Sequence, residues 1–573
     1  MVTKFFVQHL SKAALKMTLL QSDPLKRANL KIKRPLAFLA FSLALTLSSV
    51  QCSFPRKDHQ DLMGETSRNS PVTETETEIG TAHEKHLVFA LDGVPHHTMA
   101  ALREKGFFED FDLPLKVVST FPSITSLGFT AALGSGRLDG YEAVYFNKEK
   151  QSLDGGLWKY VAKGSKQTDD SYLRYFDYHR HRIHDSYAYG WPKFSARTEV
   201  ESLLESPSFQ SFLRSDQKTF IAYLLSSDPL AHMEGELILE KFLKKLDQEI
   251  SGIREKYPLH ISLFSDHGNH FRRKWQYVNL ELLLKDKDYK LSEELDPSAP
   301  KKVVSPQMGL VGYSSFYAQS SEIKKLSERL STDPRIEIVT WSTQKPDQRN
   351  RIHVYRVREG ALEKALIIKN DLGYTYQTIA GDPLDYLPVK NSILSKKQKS
   401  LLTKQEPGSP PTRETSSKDQ IQSTQSSSLK EDIRISQSEW FQNSVRHHYP
   451  NALERIFQGH SQKWIKNPAP ILVSYKNGYY SGSRGMSLIA SQVATHGNLR
   501  AKSTNGFWMS TLSLSGDGRR DGSDVAGAGE IGGAGEIGGA GEIGGAGEIG
   551  GAERSSKAVP IQDVKKLLKV DLD

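Results

Sequence analysis

Residues 220–268 read "FIAYLLSSDPLAHMEGELILEKFLKKLDQEISGIREKYPLHISLFSDHG". The stretch opens with an apolar run, "FIAYLLSS" (220–227), of the kind that forms a strand buried on both faces. "GELILEKFLKKLDQEISGIREKY" (235–257) then places Leu237, Leu239, Phe242, Leu246, Ile250 and Ile253 at helical spacing. A second apolar run, "HISLF" (260–264), follows. Strand, amphipathic helix and strand form the unit that builds a parallel sheet covered by helices. Both apolar runs break off into polar residues: Asp228 and His232 after the first, Asp266 and His267 after the second.

The same alternation extends toward the N-terminus. "HLVFAL" (86–91) is strand-like, and "HHTMAALREKGF" suits a helix. "KVVST" again suits a strand, and "PSITSLGFTAAL" carries a proline near a helix start. The pattern predicts an α/β fold, with a mostly parallel sheet sandwiched between helices. In such sheets functional residues gather beyond the C-terminal ends of the strands.

The chain has 573 residues, of which 37% are hydrophobic, and a mean hydropathy of -0.50. Those values are low for a single globule, so part of the chain is expected to lie outside any core. The net charge of +9 is modest, and no basic stripe carries interleaved aromatics. That argues against nucleic acid as a structural partner. A single cysteine, Cys52, excludes an intramolecular disulfide, a thiolate metal cage and a dithiol redox pair.

Cys52 follows "LAFLAFSLALTLSSV" (36–50), an apolar stretch of signal-peptide length that is too short for a comfortable membrane span. Lys26, Arg27, Lys31, Lys33 and Arg34 precede it. Residues 1–52 are therefore expected to be a lipoprotein-type signal. The chain would be exported in a bacterial envelope, anchored to the membrane by a lipid on Cys52, and would face the periplasm or the exterior. Gln51 departs from this pattern, because a small residue is expected there. Residues 53–84 read as a disordered tether and 396–432 as a flexible insert. "GAGEIG" occurs four times over 527–550, and only one Ile per unit can pack, so 526–553 reads as a Gly-rich loop. The remainder of 85–573 is expected to form one catalytic domain.

Three apolar runs share one grammar. "HLVFALDG" ends in Asp92, "FIAYLLSSDPLAH" in Asp228 and His232, and "HISLFSDHG" in Asp266 and His267. One aspartate after a strand is commonly a helix cap. Three, delivered by parallel strands to one sheet edge with two histidines, form an oxygen and nitrogen set suited to zinc and similar ions. Further on, "ATHGNLRAKSTNGFWMS" (494–510) adds His496 ahead of Gly497. A nucleophilic hydroxyl is available in "VVSTFPSITSLGF". Thr120 lies just before Pro122, at the entry to a helix whose N-terminus favours an anion. Ser119, Ser123 and Thr125 are its rivals, and spacing alone does not separate them.

Taken together, "ALDG", "TFPS", "SSDPLAH", "SDHG" and "THG" resemble the alkaline phosphatase superfamily, specifically its type I phosphodiesterase/nucleotide pyrophosphatase group. The resemblance covers residues 86–510 and extends to "VPIQDVKKLLKVDL", which is similar to that group's closing helix. It implies an alkaline-phosphatase-like fold and a phosphoric-ester hydrolase with two divalent metal ions, zinc being the expected metal. It maps the nucleophile onto Thr120, through a T-F-P-S that stands for the group's T-F-P-N. One metal would take Asp92, Thr120, Asp266 and His267, and the other Asp228, His232 and His496. Asn147 is the candidate for an asparagine that binds a phosphoryl oxygen. The implied substrate is a small-molecule or lipid-headgroup phosphoester. A phosphomonoesterase of the same superfamily, or a non-catalytic surface lipoprotein with a relic fold, are the alternatives. A sulfatase is disfavoured, because Ile124 stands where that motif carries arginine. The group's His-Gly is missing from "GSGRLDGYEAVYFN", and segment 163–200, with His179, His181 and His184, has no counterpart and reads as a surface loop. His270 has no role in the pattern and is expected at the rim.

Overall fold

The structure, a computed structural model, describes residues 85–156, 171–180, 192–343, 350–403, 435–490, 492–512 and 558–568. Seven strands form the main sheet: β1 (His86–Leu91), β2 (Leu115–Val118), β3 (Tyr178–His179), β4 (Thr219–Leu224), β5 (His260–Ser265), β6 (Asn505–Ser510) and β7 (Ala558–Pro560). Their order across the sheet is β7-β2-β6-β5-β1-β4-β3. Strand β1 runs parallel to both β4 and β5, β3 is parallel to β4, and β7 is parallel to β2. Only β6 runs antiparallel to its neighbours, β2 and β5. The expected α/β architecture with a mostly parallel sheet is the one found.

Strand β1 is buried along its whole length, which is why "HLVFAL" reads as a continuous apolar run. Val88 and Ala90 face one core, with Ile221, Tyr223 and Phe264. Leu87, Phe89 and Leu91 face the other, with Phe220, Leu224, Ile261 and Leu263. Helix α1 (His96–Glu104) contributes Met99 and Leu102 to the second core. The first core receives helix α2 (Thr125–Leu133), which is buried almost entirely. Helices α3 (Pro192–Leu204), α4 (Ser227–Glu234) and α5 (Glu236–Lys256) complete the second layer.

Helix α5 corrects one detail of the apolar stripe. Its buried residues are Leu239, Phe242, Leu243, Leu246, Ile250 and Ile253, whereas Leu237 is 66% exposed. Leu237 lies two residues before Leu239, a rotation of about 200° that carries it to the opposite face.

A second sheet of six strands spans residues 313–475, in the order Tyr313–Phe316, Ile471–Tyr475, Ile336–Ser342, Arg351–Arg358, Ala361–Asn370 and Gly373–Ala380. All its pairings are antiparallel. Helix α6 (Ala452–Gly459), buried at every position, contributes Leu453, Ile456 and Phe457 to the first core. At the C-terminal end, Ile561, Val564 and Leu568 join the same core.

Helix Leu387–Thr403 continues through residue 396, where the flexible insert was expected to start. Ile393 buries its side chain, and Lys397 pairs with Glu439 at 2.9 Å, so the polar turns have tertiary partners. Residues 404–432 of that segment lie outside the described residues. So do the expected signal and tether with Cys52, the 526–553 repeats, His181 and His184. Of the described residues, those within 85–484 and 492–568 belong to one compact unit and 485–490 to another. Among the described residues no helix is long and apolar enough to cross a membrane.

Candidate metal centre

The three central strands end flush, with Leu91 opposite both Leu224 and Ser265. Whatever follows them meets in one place. Asp92 follows β1 directly and Asp266 follows β5 directly. Asp228 sits in the first turn of α4, and His232 lies one turn later on the same helix face. His496 follows the short strand Ala494–Thr495, which pairs with His270–Phe271 just beyond the Asp266 loop. All six side chains are buried.

Their ligand atoms fall into two groups, Asp92 with Asp266 and His267, and Asp228 with His267 and His496. Within each group these atoms lie within 4.8 Å of one another. His267 Nε2 is 3.6 Å from Asp92 Oδ1 and 3.4 Å from Asp266 Oδ2. His496 Nε2 is 3.9 Å from Asp228 Oδ1, and His232 Nε2 is 3.3 Å from the same oxygen. The rings of His267 and His496 stack at 4.0 Å. His267 thus belongs to both groups, whereas the resemblance assigned it to one metal. His232, outside both groups, also meets the His496 ring edge-on, with centroids 5.1 Å apart.

Charge and protonation make this cluster costly without a cation. Burial, reinforced by the charges of Asp266 and Asp228, holds the Asp92 carboxyl well above the usual range, against hydrogen bonds from Tyr223 and Thr125. Burial also pushes Asp266 up to about 6, although His267 opposes it. For Asp228 burial acts the same way, but the imidazoles of His232, His496 and His267 outweigh it and the carboxyl ends below the usual range. Burial and His267 hold His496 well below the ordinary histidine value.

The hydrogen bonds of the rings sharpen the point. His496 Nδ1 donates to the Ser123 carbonyl at 2.8 Å, and His267 Nδ1 to the Gly268 carbonyl at 3.0 Å. A carbonyl only accepts, so each Nδ1 carries a proton and Nε2 is the ring atom that faces the aspartates. Asp266 Oδ2 and His232 Nε2 are buried without a hydrogen-bond partner. Lone pairs facing carboxylate oxygens inside a core are reconciled by a cation between them. The oxygen and nitrogen donors fit a divalent metal, with no thiolate required.

The hydroxyl brought to this cluster is that of Thr125, not Thr120. Thr125 Oγ1 donates to Asp92 Oδ1 at 3.0 Å and lies 3.3 Å from His267 Nε2. Thr120 turns its hydroxyl to the Pro122 carbonyl at 2.8 Å, within its own loop, and its own carbonyl is held by Arg455. Of the other rivals, Ser123 Oγ donates to the Asn498 carbonyl, and Ser119 Oγ is buried without a hydrogen-bond partner.

Asn147, the candidate for binding a phosphoryl oxygen, lies in a hairpin. It closes the hairpin between strands Val144–Asn147 and Ser152–Gly155, and its Oδ1 accepts from the Glu149 and Lys150 N–H groups at 3.0 and 3.1 Å. An asparagine that bonds the backbone two and three residues on is a turn former. His179 is exposed, with Nδ1 against the Arg180 carbonyl, and half-buried His270 meets the Trp275 ring edge at 5.8 Å.

Several residues complete the cluster without having been singled out. Tyr223 donates to Asp92 Oδ2 at 2.6 Å. Asn269 Nδ2 donates to Asp228 Oδ1 at 2.9 Å and to the Gly93 carbonyl at 2.8 Å. Glu199 accepts from the Leu225 and Ser226 N–H groups and so fixes the turn ahead of Asp228. Gly93 has φ +63°, and a Cβ there would lie 2.5 Å from Asp228 Oδ1 and 2.7 Å from Asn269 Nδ2. The glycine of "ALDG" was the available signal, and Asn269 stood two residues past the Asp-His pair.

No family model matches the chain, and no curated protein matches it. Among solved structures, murine ectonucleotide pyrophosphatase/phosphodiesterase 5 is similar with a TM-score of 0.37 and 10% identity, over 74% of this chain and 87% of that one. Its human counterpart has a TM-score of 0.36 and 11% identity, over 74% and 87%. Phosphonoacetate hydrolase from Sinorhizobium meliloti 1021, in complex with phosphonoacetate, has a TM-score of 0.37 and 10% identity, over 76% and 92%. At that distance the chemistry of the site rests on the residues of this chain alone.

Proposed function

We propose that the chain is a metal-dependent phosphoric-ester hydrolase of the phosphodiesterase/nucleotide pyrophosphatase type, with Thr125 as nucleophile. The observation that carries this reading is the Thr125 hydroxyl, 3.0 Å from Asp92 Oδ1 and 3.3 Å from His267 Nε2, beside the second group of Asp228, His267 and His496. Two divalent cations, with zinc the expected metal, would be held there, one by Asp92, Asp266 and His267 and the other by Asp228, His232 and His496, and would acidify the hydroxyl and offset phosphoryl charge. Because the hydroxyl hydrogen points at Asp92, the lone pairs of Oγ1 remain free for phosphorus. Thr125 opens α2, whose first turn has no side-chain cap, so its N–H groups favour an anion beside the nucleophile. Attack by Oγ1 would displace an alcohol and leave a phosphothreonine ester for water to hydrolyse.

Export and a lipid anchor belong to the same proposal, supported by the apolar run 36–50 and Cys52. A membrane-anchored enzyme in the envelope would meet small-molecule or lipid-headgroup phosphoesters. The test is metal analysis of the purified protein together with assays on chromogenic phosphodiester and phosphomonoester substrates. Bound metal and chelator-sensitive cleavage of the diester are expected. Preference for the monoester would make it a phosphomonoesterase, and a metal-free, inactive protein would leave a relic fold.

A further inference from the structure

Arg455 lies on α6, is 3% exposed, and no carboxylate pairs with it among the described residues. Burying an unpaired guanidinium is expensive, and an apolar side chain would fill the same helix position at less cost. All of its hydrogen bonds go to backbone carbonyls and one hydroxyl. Nε and Nη2 donate to the Thr120 carbonyl at 3.2 and 3.0 Å. Nη1 donates to the Pro450 and Leu499 carbonyls at 3.0 and 3.1 Å. Nη2 also donates to Thr504 Oγ1 at 2.7 Å. The fork's whole donor set is thereby satisfied.

Apart from the Pro450 carbonyl, just ahead of α6 itself, these acceptors sit on the two loops that carry the site. Thr120 belongs to the loop that delivers Thr125, and Leu499 and Thr504 lie on the segment that follows His496. The loops also bond each other directly, through His496 Nδ1 to the Ser123 carbonyl and Ser123 Oγ to the Asn498 carbonyl. The guanidinium closes that ring from behind.

We propose that Arg455 is a positioning residue, which sets the spacing between the Thr125 hydroxyl and the His496 imidazole by clamping the carbonyls of the two loops that carry them. The catalytic part of this inference rests on the function proposed above. The clamp itself does not. A lysine would keep the charge but lose the planar fork, so the conservative variant separates the two roles.

The test compares Arg455→Lys and Arg455→Met with wild type in the full chain. Two readouts are combined: steady-state hydrolysis of the chromogenic diester with metal content, and hydrogen exchange of the backbone amides. Both variants are expected to lose about 10²-fold in kcat, the scale of a misplacement of about 1 Å, with KM and metal content nearly unchanged. Exchange is expected to rise in 119–125 and 499–504 and to stay unchanged in β1, β4 and β5. Thr504→Val, which removes one acceptor of the fork together with that hydroxyl's own bond to the Arg500 carbonyl, covers the case in which the arginine variants do not fold, and a rise in 119–125 is the part of its readout that reports the clamp. It is expected to raise exchange in the same segments with a smaller loss of kcat. Unchanged exchange in those segments overturns the clamp. Full kcat in Arg455→Lys overturns the role of the fork. A wild type without hydrolase activity, in which the variants still raise exchange, defeats the function proposed above and leaves the clamp standing.

Discussion

The hydroxyl of Thr125 donates to the carboxylate of Asp92 across 3.0 Å. Thr120, only five residues earlier, keeps its hydroxyl on the Pro122 carbonyl. The two threonines therefore make opposite predictions. Thr125→Ala should lower kcat by about 10³-fold or more, as removal of a nucleophile does, while metal stays bound. Thr120→Val removes a hydrogen bond worth about 1 kcal/mol of stability and leaves the Thr120 carbonyl on Arg455, so kcat should hold. Steady-state kinetics on the two purified variants decide between them, and the reverse ranking would restore Thr120.

Much of this site could be read from the chain because β1, β4 and β5 are buried on both faces, and runs of that kind have few competing readings. Their shared direction then sends Asp92, Asp228 and Asp266 to one edge. The choice among Ser119, Thr120, Ser123 and Thr125 could not be read. It turns on which hydroxyl faces inward, and that depends on Arg455 gripping the Thr120 carbonyl from 335 residues away. The hairpin role of Asn147 was not legible for a related reason, since asparagine serves a turn as readily as a phosphoryl group. The six-stranded antiparallel sheet escaped notice because strands such as "RIHVYRVR" have solvated positions and no long apolar run.

Asn269 should matter to metal affinity without touching the metal. Its Nδ2 orients Asp228 Oδ1 and ties it to the Gly93 carbonyl. Loss of a partner that orients a ligand costs about 10- to 100-fold in metal affinity. Asn269→Leu is therefore expected to weaken binding by that factor in a titration against a competing chelator, with the fold retained by circular dichroism. Unchanged affinity would remove Asn269 from the site.

The carboxylates that face lone pairs predict a stabilising metal. At a free concentration 100-fold above Kd, a bound ion adds about 2.7 kcal/mol per site to the native state. Chelation should lower the thermal midpoint as well as abolish hydrolysis, and zinc should restore both. If chelator changes neither the midpoint nor the activity, the cluster does not hold metal.

Far from the cluster, His460 offers a test of acid stability. It is buried, with Nδ1 donating to the Ala469 carbonyl at 2.9 Å and Nε2 2.8 Å from Thr340 Oγ1. Burial lowers its pKa from 6.5 to about 4. The unfolded chain therefore binds this proton at a higher pH than the folded one. Its contribution is fully present above pH 6.5 and is lost as pH falls toward 4, with a slope of at most about 1.4 kcal/mol per pH unit. Glu142 acts in the opposite sense: burial raises its pKa to about 8, so its contribution fades as pH rises from 4.5 to 8. The two overlap, so the wild-type curve alone does not isolate His460. The difference between wild type and His460→Gln does. Urea unfolding at intervals from pH 4 to 7 should give a stability gap that is widest at pH 7 and narrows toward pH 4. A gap independent of pH would mean that His460 is protonated alike in the folded and unfolded chain.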